Sequence, residues 1–314
     1  MTPSAEPGPA AAPTTRAGAP APGGPVPRVL RGILFMLASA TLFPVMNGCV
    51  KVLSSGYASE QIIWARNAGH LVFVLILFAP RRGLSIFRAN QLGAQIARSI
   101  LLMTSTVCAF IGVKYIPLGK SATIQFIAPF IVSLMAWRFL GERLVPARIA
   151  AVCVAFLGVV VVIRPGTDVF TWAALLPVAS STFYAAYQVY TRFVADKDAP
   201  ETSVVYSALV GTVAMAVFLP FVWRTPATLG DIVLMSGLGV LGGLGHYCVA
   251  RAMQHAQASV ISPFNYWQLV GSSTFGAIVF DESLDAYTWV GAAVIVAAGL
   301  FMLRLETRRA PARR

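Results

Sequence analysis

The sequence predicts an all-α integral membrane protein of ten transmembrane helices, arranged as two inverted five-helix repeats. Three observations carry that reading. The 314 residues are 57% hydrophobic and only 11% charged. Ten apolar runs of bilayer-spanning length follow one another with short connections. The second half of the chain repeats residue patterns of the first at a shift of about 140.

Composition sets the class. A soluble domain has about 25% charged residues, and this chain has too little polar surface to cover itself in water. The mean hydropathy is +0.72, which selects the membrane class. A net charge of +12 would suit nucleic acid, but the basic residues sit at the ends of apolar runs rather than along one polar face. Cys49, Cys108, Cys153 and Cys248 are isolated within apolar segments. They form no C-x-x-C pair and no metal-spaced cluster, so they read as small apolar fillers. No metal or other cofactor is expected.

The chain divides into four segments. Residues 1–28 are almost entirely Ala, Pro, Gly, Thr and Ser, a composition that buries nothing and predicts a disordered cytoplasmic tail. It lacks the basic start and apolar core of a cleaved signal peptide. Residues 29–166 form the first five-helix repeat and 167–305 the second, and 306–314 form a basic cytoplasmic tail. A hydrocarbon core of about 30 Å needs roughly 20 apolar residues per helix. The runs fall near 32–53, 60–79, 95–113, 120–140, 146–163, 170–191, 202–223, 231–250, 258–280 and 286–304.

An even number of spans puts both termini on one side. Eighteen of the 24 Lys and Arg residues then fall in segments on the side of the termini, five at opposite ends, and Arg66 in mid-span. The positive-inside rule makes that side the cytoplasm, and for a bacterial protein the membrane is the inner one.

The repeat is read directly. "LGKSATIQFIAPFIVSLMAWRFLGE" (118–142) lies over "ASVISPFNYWQLVGSSTFGAIVFDE" (258–282), with Gln125 on Asn265, Phe126 on Tyr266 and Glu142 on Glu282. At a shift of 141, Asn47 meets Gln188 and Lys51 meets Arg192. Five helices is an odd number, so the second copy crosses the bilayer upside down, as in secondary transporters whose site lies between the halves. On "APFIVSLMAWRFLGERL" (128–144) and "SPFNYWQLVGSSTFGAIVFDE" (262–282) the chain resembles the drug/metabolite transporter superfamily, specifically its ten-helix EamA type. The resemblance covers roughly residues 30–305 and implies a carrier of small metabolites without fixing the substrate. Pro129 has no counterpart in the ninth helix, where Leu269 stands, so that helix should be straighter below Pro263.

Polar groups within spans must face protein or water. In helix nine, Ser262, Asn265, Tyr266 and Leu269 share a face, with Ser273 a turn on. Helix six offers Ser180, Tyr184, Tyr187 and Gln188. Helix one adds Asn47 behind Pro44, helix four Gln125 and Phe126, helix three Thr104, Ser105 and Thr106, and helix eight His246 beside Gly242, Gly243 and Gly245. The substrate-binding set expected from these is Asn47, Gln125, Phe126, Tyr184, Gln188, His246, Asn265 and Tyr266. Each has a plainer reading. The amides could bond neighbouring helices, the tyrosines could belong to an interfacial belt, and the hydroxyls could bond their own helix.

His246 could carry a proton or be a neutral hydrogen-bonding group. Arg66 could meet a substrate carboxylate or phosphate, or anchor helix two, which the resemblance implies is peripheral. His70 lies one turn from it. All carboxylates sit in tails or near span ends, so strong ion coupling is not expected.

These features point to a secondary transporter of a small neutral, zwitterionic or aromatic metabolite, such as an amino acid, a riboflavin-like vitamin or an adenosyl metabolite. A membrane-embedded structural or regulatory protein and an integral membrane enzyme are the competing classes. The enzyme lacks support from any H-E-x-x-H, G-x-S-x-G or P-loop motif. The expected partners are a small solute and the lipid bilayer rather than nucleic acid, with a homodimer left open. Reporter fusions after Arg164 and Glu282 should read periplasmic, and one after Lys197 cytoplasmic. A cytoplasmic reading after Glu282 would contradict ten spans.

Overall fold

The computed structural model describes residues 26–140, 146–167, 170–194, 197–255 and 262–309. The tail to residue 25, Glu142 and the residues after 309 lie outside them. Among the described residues the chain is helical and has no strand. Twelve helices cover the ten apolar runs. These are α1 (Val26–Leu53), α2 (Ser59–Arg82), α3 (Leu92–Tyr115), α4 (Leu118–Gln125), α5 (Ala128–Leu140), α6 (Pro146–Ile163), α7 (Leu175–Val194), α8 (Pro200–Ala216), α9 (Leu219–Val222), α10 (Leu229–His255), α11 (Trp267–Phe280) and α12 (Ala286–Arg309). Five helical stretches are both long and apolar enough to cross a membrane, and shorter apolar stretches lie in α6, α8 and α12. The architecture is that of a multi-pass membrane protein.

Two runs are broken, and proline accounts for both breaks. The fourth run divides at Phe126–Ile127, just before Pro129. A proline has no N–H for the carbonyl four residues back, which here is that of Gln125. Ser181 of α7 donates its hydroxyl to that carbonyl at 3.4 Å, while the amides of Phe126 and Ile127 tighten to 3-10 bonds on Thr123 and Ile124. The seventh run divides before Pro220, leaving the short α9. In the ninth run a 3-10 turn, Ser262–Tyr266, leads into α11, which continues unbroken through Leu269 as expected for a segment lacking the second proline.

The helices pack in a definite order. α1 lies along α10 and α11, α7 along α3 and α5, α2 along α8 and α10, and α3 along α8. α4 crosses α11, and α6 pairs with α12. Small residues set the closest crossings. Gly239 of α10 rides on the backbone of Gly69, and Gly291 of α12 on the carbonyl of Gly158, with no room for a Cβ at either. The glycines expected to bring backbones together behave differently. Gly243 and Gly245 receive the rings of Phe73 and Phe43, and the close backbone approach falls one turn earlier at Gly239.

At one end of the bundle Glu282, just past α11, pairs with Lys51 of α1 and accepts the Leu118 amide at the start of α4 at 2.9 Å. Lys51 also donates to the Ile116 carbonyl at 3.0 Å. A carboxylate at a helix N-terminus satisfies an orphan amide and opposes the helix dipole, so one side chain ties three helices. Charged hydrogen bonds of this kind contribute about 1.5–3 kcal/mol each. Glu282→Ala should therefore lower the detergent-solubilised melting temperature clearly. A double-mutant cycle with Lys51→Ala should return a coupling of roughly 1 kcal/mol or more. Additive effects of the two changes would show that the pair contributes nothing.

Candidate functional site

The carboxylates set the background. Asp198 accepts the amides of Asn90 and Gln91 and the side chain of Gln95. Asp231 accepts the Tyr57 hydroxyl and caps the start of α10 through Thr228. Burial opposes the charge on Asp198, yet the bonds from Gln95, Asn90 and Gln91 hold its carboxyl below the usual range. Asp285 pairs with Arg164 and accepts the Thr288 amide at 2.7 Å. Every described acidic residue lies at a helix end or in a connection. The interior is left to neutral polar groups, aromatic rings and a few cations.

On α7, Ser180 meets Ser105 of α3 at 3.1 Å, and the Tyr187 and Thr191 hydroxyls receive Arg98 of α3 at 3.1 and 3.3 Å. Ser181 faces α4 through the Gln125 carbonyl. Tyr184 and Gln188 fall on the helical strip between these two flanks. The Tyr184 ring stacks on Tyr187 at 5.7 Å, which places an aromatic pair beside that strip. Thr104 and Thr106 bond the carbonyls of their own helix at 3.0 and 2.9 Å, so of the helix-three hydroxyls considered only Ser105 reaches a neighbour.

Gln125 donates its amide to Ser121 at 3.1 Å. Phe126 and Tyr266 meet edge to face at 5.1 Å, and the Tyr266 hydroxyl lies over Gly299 of α12, where a Cβ would collide with it. These two rings belong to the apolar core between the fourth, ninth and tenth runs. Asn47, Gln188 and Asn265 are half-buried and make no hydrogen bond among the described residues, so their amides remain available to another partner. The side chain of Ser262 lies outside the described residues. Trp267 turns away and donates to Thr41 at 3.2 Å.

His246 stands in a polar cluster made by α2 and α10. Its ring stacks on His70 at 5.9 Å and meets Phe43 at 5.2 Å. Arg66 approaches its Nε2 at 3.4 Å. A guanidinium can only donate, so His246 receives that contact with an unprotonated Nε2. Arg66 is 6% exposed and lies 5.9 Å from the centre of the Phe110 ring. The expectation of a peripheral second helix does not describe this face, where Arg66, Asn67 and His70 are all buried.

The third apolar run, drawn from residue 95, puts Arg98 near its start, where a basic residue would face the cytoplasmic surface. The helix starts at Leu92, and Arg98 is 2% exposed. It donates to Tyr187, Thr191, Ser207 and the Ser203 carbonyl, joining α3 to α7 and α8. Sequence spacing alone could not find this strut, because its acceptors lie 89 to 109 residues away.

The chain matches the EamA-like transporter family twice in tandem, over residues 30–164 and 171–304. It is 29% identical over 288 residues to a riboflavin transporter of Rhizobium johnstonii, covering 90% of this chain and 94% of that protein. It is 27% identical to a pseudopaline exporter of Pseudomonas aeruginosa, covering 88% and 96%. An S-adenosylmethionine uptake transporter of Rickettsia bellii is 26% identical, over 75% of this chain and 80% of that one. A solved crystal structure shares the fold, with a TM-score of 0.62 at 19% identity over 90% of this chain and 99% of that one. Two family matches that together span most of an all-helical, apolar chain establish that it belongs to the EamA-like transporter family.

Proposed function

We propose that the chain is a secondary transporter that carries a small zwitterionic, neutral or aromatic metabolite across the inner membrane by alternating access between two inverted five-helix halves. Both termini lie in the cytoplasm, and ten spans cross the bilayer. The half-buried amides of Asn47, Gln188 and Asn265, without a partner among the described residues in apolar runs, carry this reading. In hydrocarbon an unsatisfied amide costs several kcal/mol, so these positions make sense where they meet water or solute. Tyr184 adds a flat ring for a planar solute, and Gln125 and His246 complete the polar set. Phe126 and Tyr266 shape one wall.

The inverted-repeat reading gains support from the pairing of helices. α1 on α10 has its counterpart in α7 on α3, α1 on α11 in α7 on α5, and α2 on α10 in α8 on α3. Each pair turns into the other when the halves are exchanged, and the tandem family match divides the chain near the same point. The relatives named for riboflavin, S-adenosylmethionine and pseudopaline support a small metabolite as cargo. A nucleic-acid partner has no place in this reading.

The lack of any interior carboxylate among the described residues, and the cationic neighbour of His246, argue for flux that does not need a proton gradient. Proteoliposomes should take up at least one of riboflavin, S-adenosylmethionine or an aromatic amino acid saturably, and downhill entry should survive a protonophore. Loss of all entry on collapse of the gradient would contradict uncoupled flux, and absence of uptake for every solute would contradict the transport assignment.

The two neighbours in the ninth run separate binding from packing. Asn265→Ala should weaken apparent affinity roughly two- to tenfold with little change in melting temperature, since one hydrogen bond contributes about 0.5–1.5 kcal/mol. Tyr266→Ala should lower the melting temperature, because it empties a packed core position. An Asn265→Ala protein that loses stability and keeps its affinity would place that amide in helix packing instead.

A further inference from the structure

Two arginines are buried in the interior, and they differ in how they are satisfied. Arg98 has acceptors from two neighbouring helices, four in all, around its terminal nitrogens. Among the described residues Arg66 has two long hydrogen-bond contacts, 3.4 Å to the side-chain oxygen of its neighbour Asn67 and 3.4 Å to His246, besides the Phe110 ring 5.9 Å from its Cζ. The Nε of both arginines is buried without a partner, so the difference lies at the terminal nitrogens. The carboxylates of Asp198, Glu201, Asp231, Glu282 and Asp285 are all engaged at helix ends. The charge on Arg66 is therefore unmatched within the described protein. An intramembrane guanidinium in that condition is costly to keep, and its retention calls for a function.

The open part of Arg66 has a shape. Nη1 is turned to Asn67 and Nη2 reaches His246 at 3.4 Å, which leaves Nε and the second N–H of Nη2, the side of the fork that grips a carboxylate with two parallel hydrogen bonds. Along that edge stands Gly242 of α10. A Cβ there would lie 3.5 Å from Nε and 3.8 Å from Nη2. The glycine leaves free beside that edge the space that the methyl of an alanine would fill in contact with it. The His246 ring, stacked on His70, closes the far side and offers an unprotonated nitrogen rather than a second cation.

We propose that the Nε–Nη2 edge of Arg66 binds a carboxylate of the transported solute, so that the preferred substrates are carboxylate-bearing zwitterions or acids rather than wholly neutral molecules. The inference rests on the transporter reading and narrows its substrate class. A single guanidinium suits one carboxylate, whereas a phosphate dianion calls for paired cations, and Arg98 is already committed. Until solute arrives, the site holds an unpaired charge, so the empty protein is less stable than its packing allows. The bound carboxylate supplies the missing counter-charge.

The test has a stability arm and a ligand arm, both on the full-length protein in detergent. Arg66→Met keeps the apolar stem of the side chain and removes the charged head, and it should match or exceed the wild-type melting temperature. Arg98→Met, which strips a satisfied strut, should lower it. In the ligand arm the probes are tryptophan with tryptophanamide, succinate with succinamide, and S-adenosylmethionine with its decarboxylated form. At least one acid should raise the wild-type melting temperature while its carboxylate-free partner does so roughly tenfold more weakly in concentration. Arg66→Met should erase that difference. Gly242→Ala, which keeps the guanidinium but crowds its open edge, should reduce it.

Destabilisation by Arg66→Met comparable to that by Arg98→Met would overturn the proposal, as would equal response to acid and amide in every pair. Failure of the transport assignment looks different: flux of neither pair member into vesicles, with the acid-specific, Arg66-dependent stabilisation intact.

Discussion

Hydrocarbon offers no hydrogen bonds, and the rest of this structure follows from that constraint. Each polar group carried into the interior must find a partner there or be kept for one that arrives. The Thr104 and Thr106 hydroxyls turn back to their own helix carbonyls. The carbonyl released by Pro129 receives Ser181 from α7. Arg98 gathers four acceptors from two helices and becomes a strut. Carboxylates, the most expensive groups to dehydrate, remain at the helix ends, where they cap amides and pair with lysine or arginine. What remains without a partner among the described residues includes the amides of Asn47, Gln188 and Asn265 and the Nε of Arg66, alongside the Ser39 and Ser133 hydroxyls and the Nε of Arg98. A carrier needs an interior that its own side chains do not saturate, and this set meets that need.

The same constraint explains what the sequence made legible. A span must be apolar over its whole length, so hydropathy marks the runs, and among the described residues each run coincides with helix, whole or broken. Proline marks the fourth and seventh runs, and both are interrupted beside it. The family resemblance, drawn from two short segments, agrees with a match over most of the chain. The pattern also indicated which helices carry polar faces, because amides and hydroxyls are rare enough in apolar runs to stand out.

Long-range partnership was not legible. In the sequence Arg98 is a basic residue near the start of a span, and the acceptors that bury it lie on α7 and α8. The stacking of His70 on His246 and the approach of Arg66 join residues separated by more than half the chain. The sequence places His70 one turn from Arg66, but nothing in it brings α10 alongside. Tyr266 and Asn265 are adjacent in sequence and have different surroundings. One rests its hydroxyl on Gly299 in the core, and the other keeps a free amide. Helical spacing assigned them one face, and only the position of α12 separates them.

The central claim is that these unsaturated polar positions form a solute path reached in turn from the two sides of the membrane. Single-cysteine labelling at Gln188, in a protein whose four native cysteines have been replaced, tests it most directly, with a membrane-impermeant maleimide added to one side at a time. The account predicts reaction from both sides, slowed by a transported solute. A Gln188→Cys protein that folds and reacts from neither side would show that position sealed in protein or lipid, and would contradict the account.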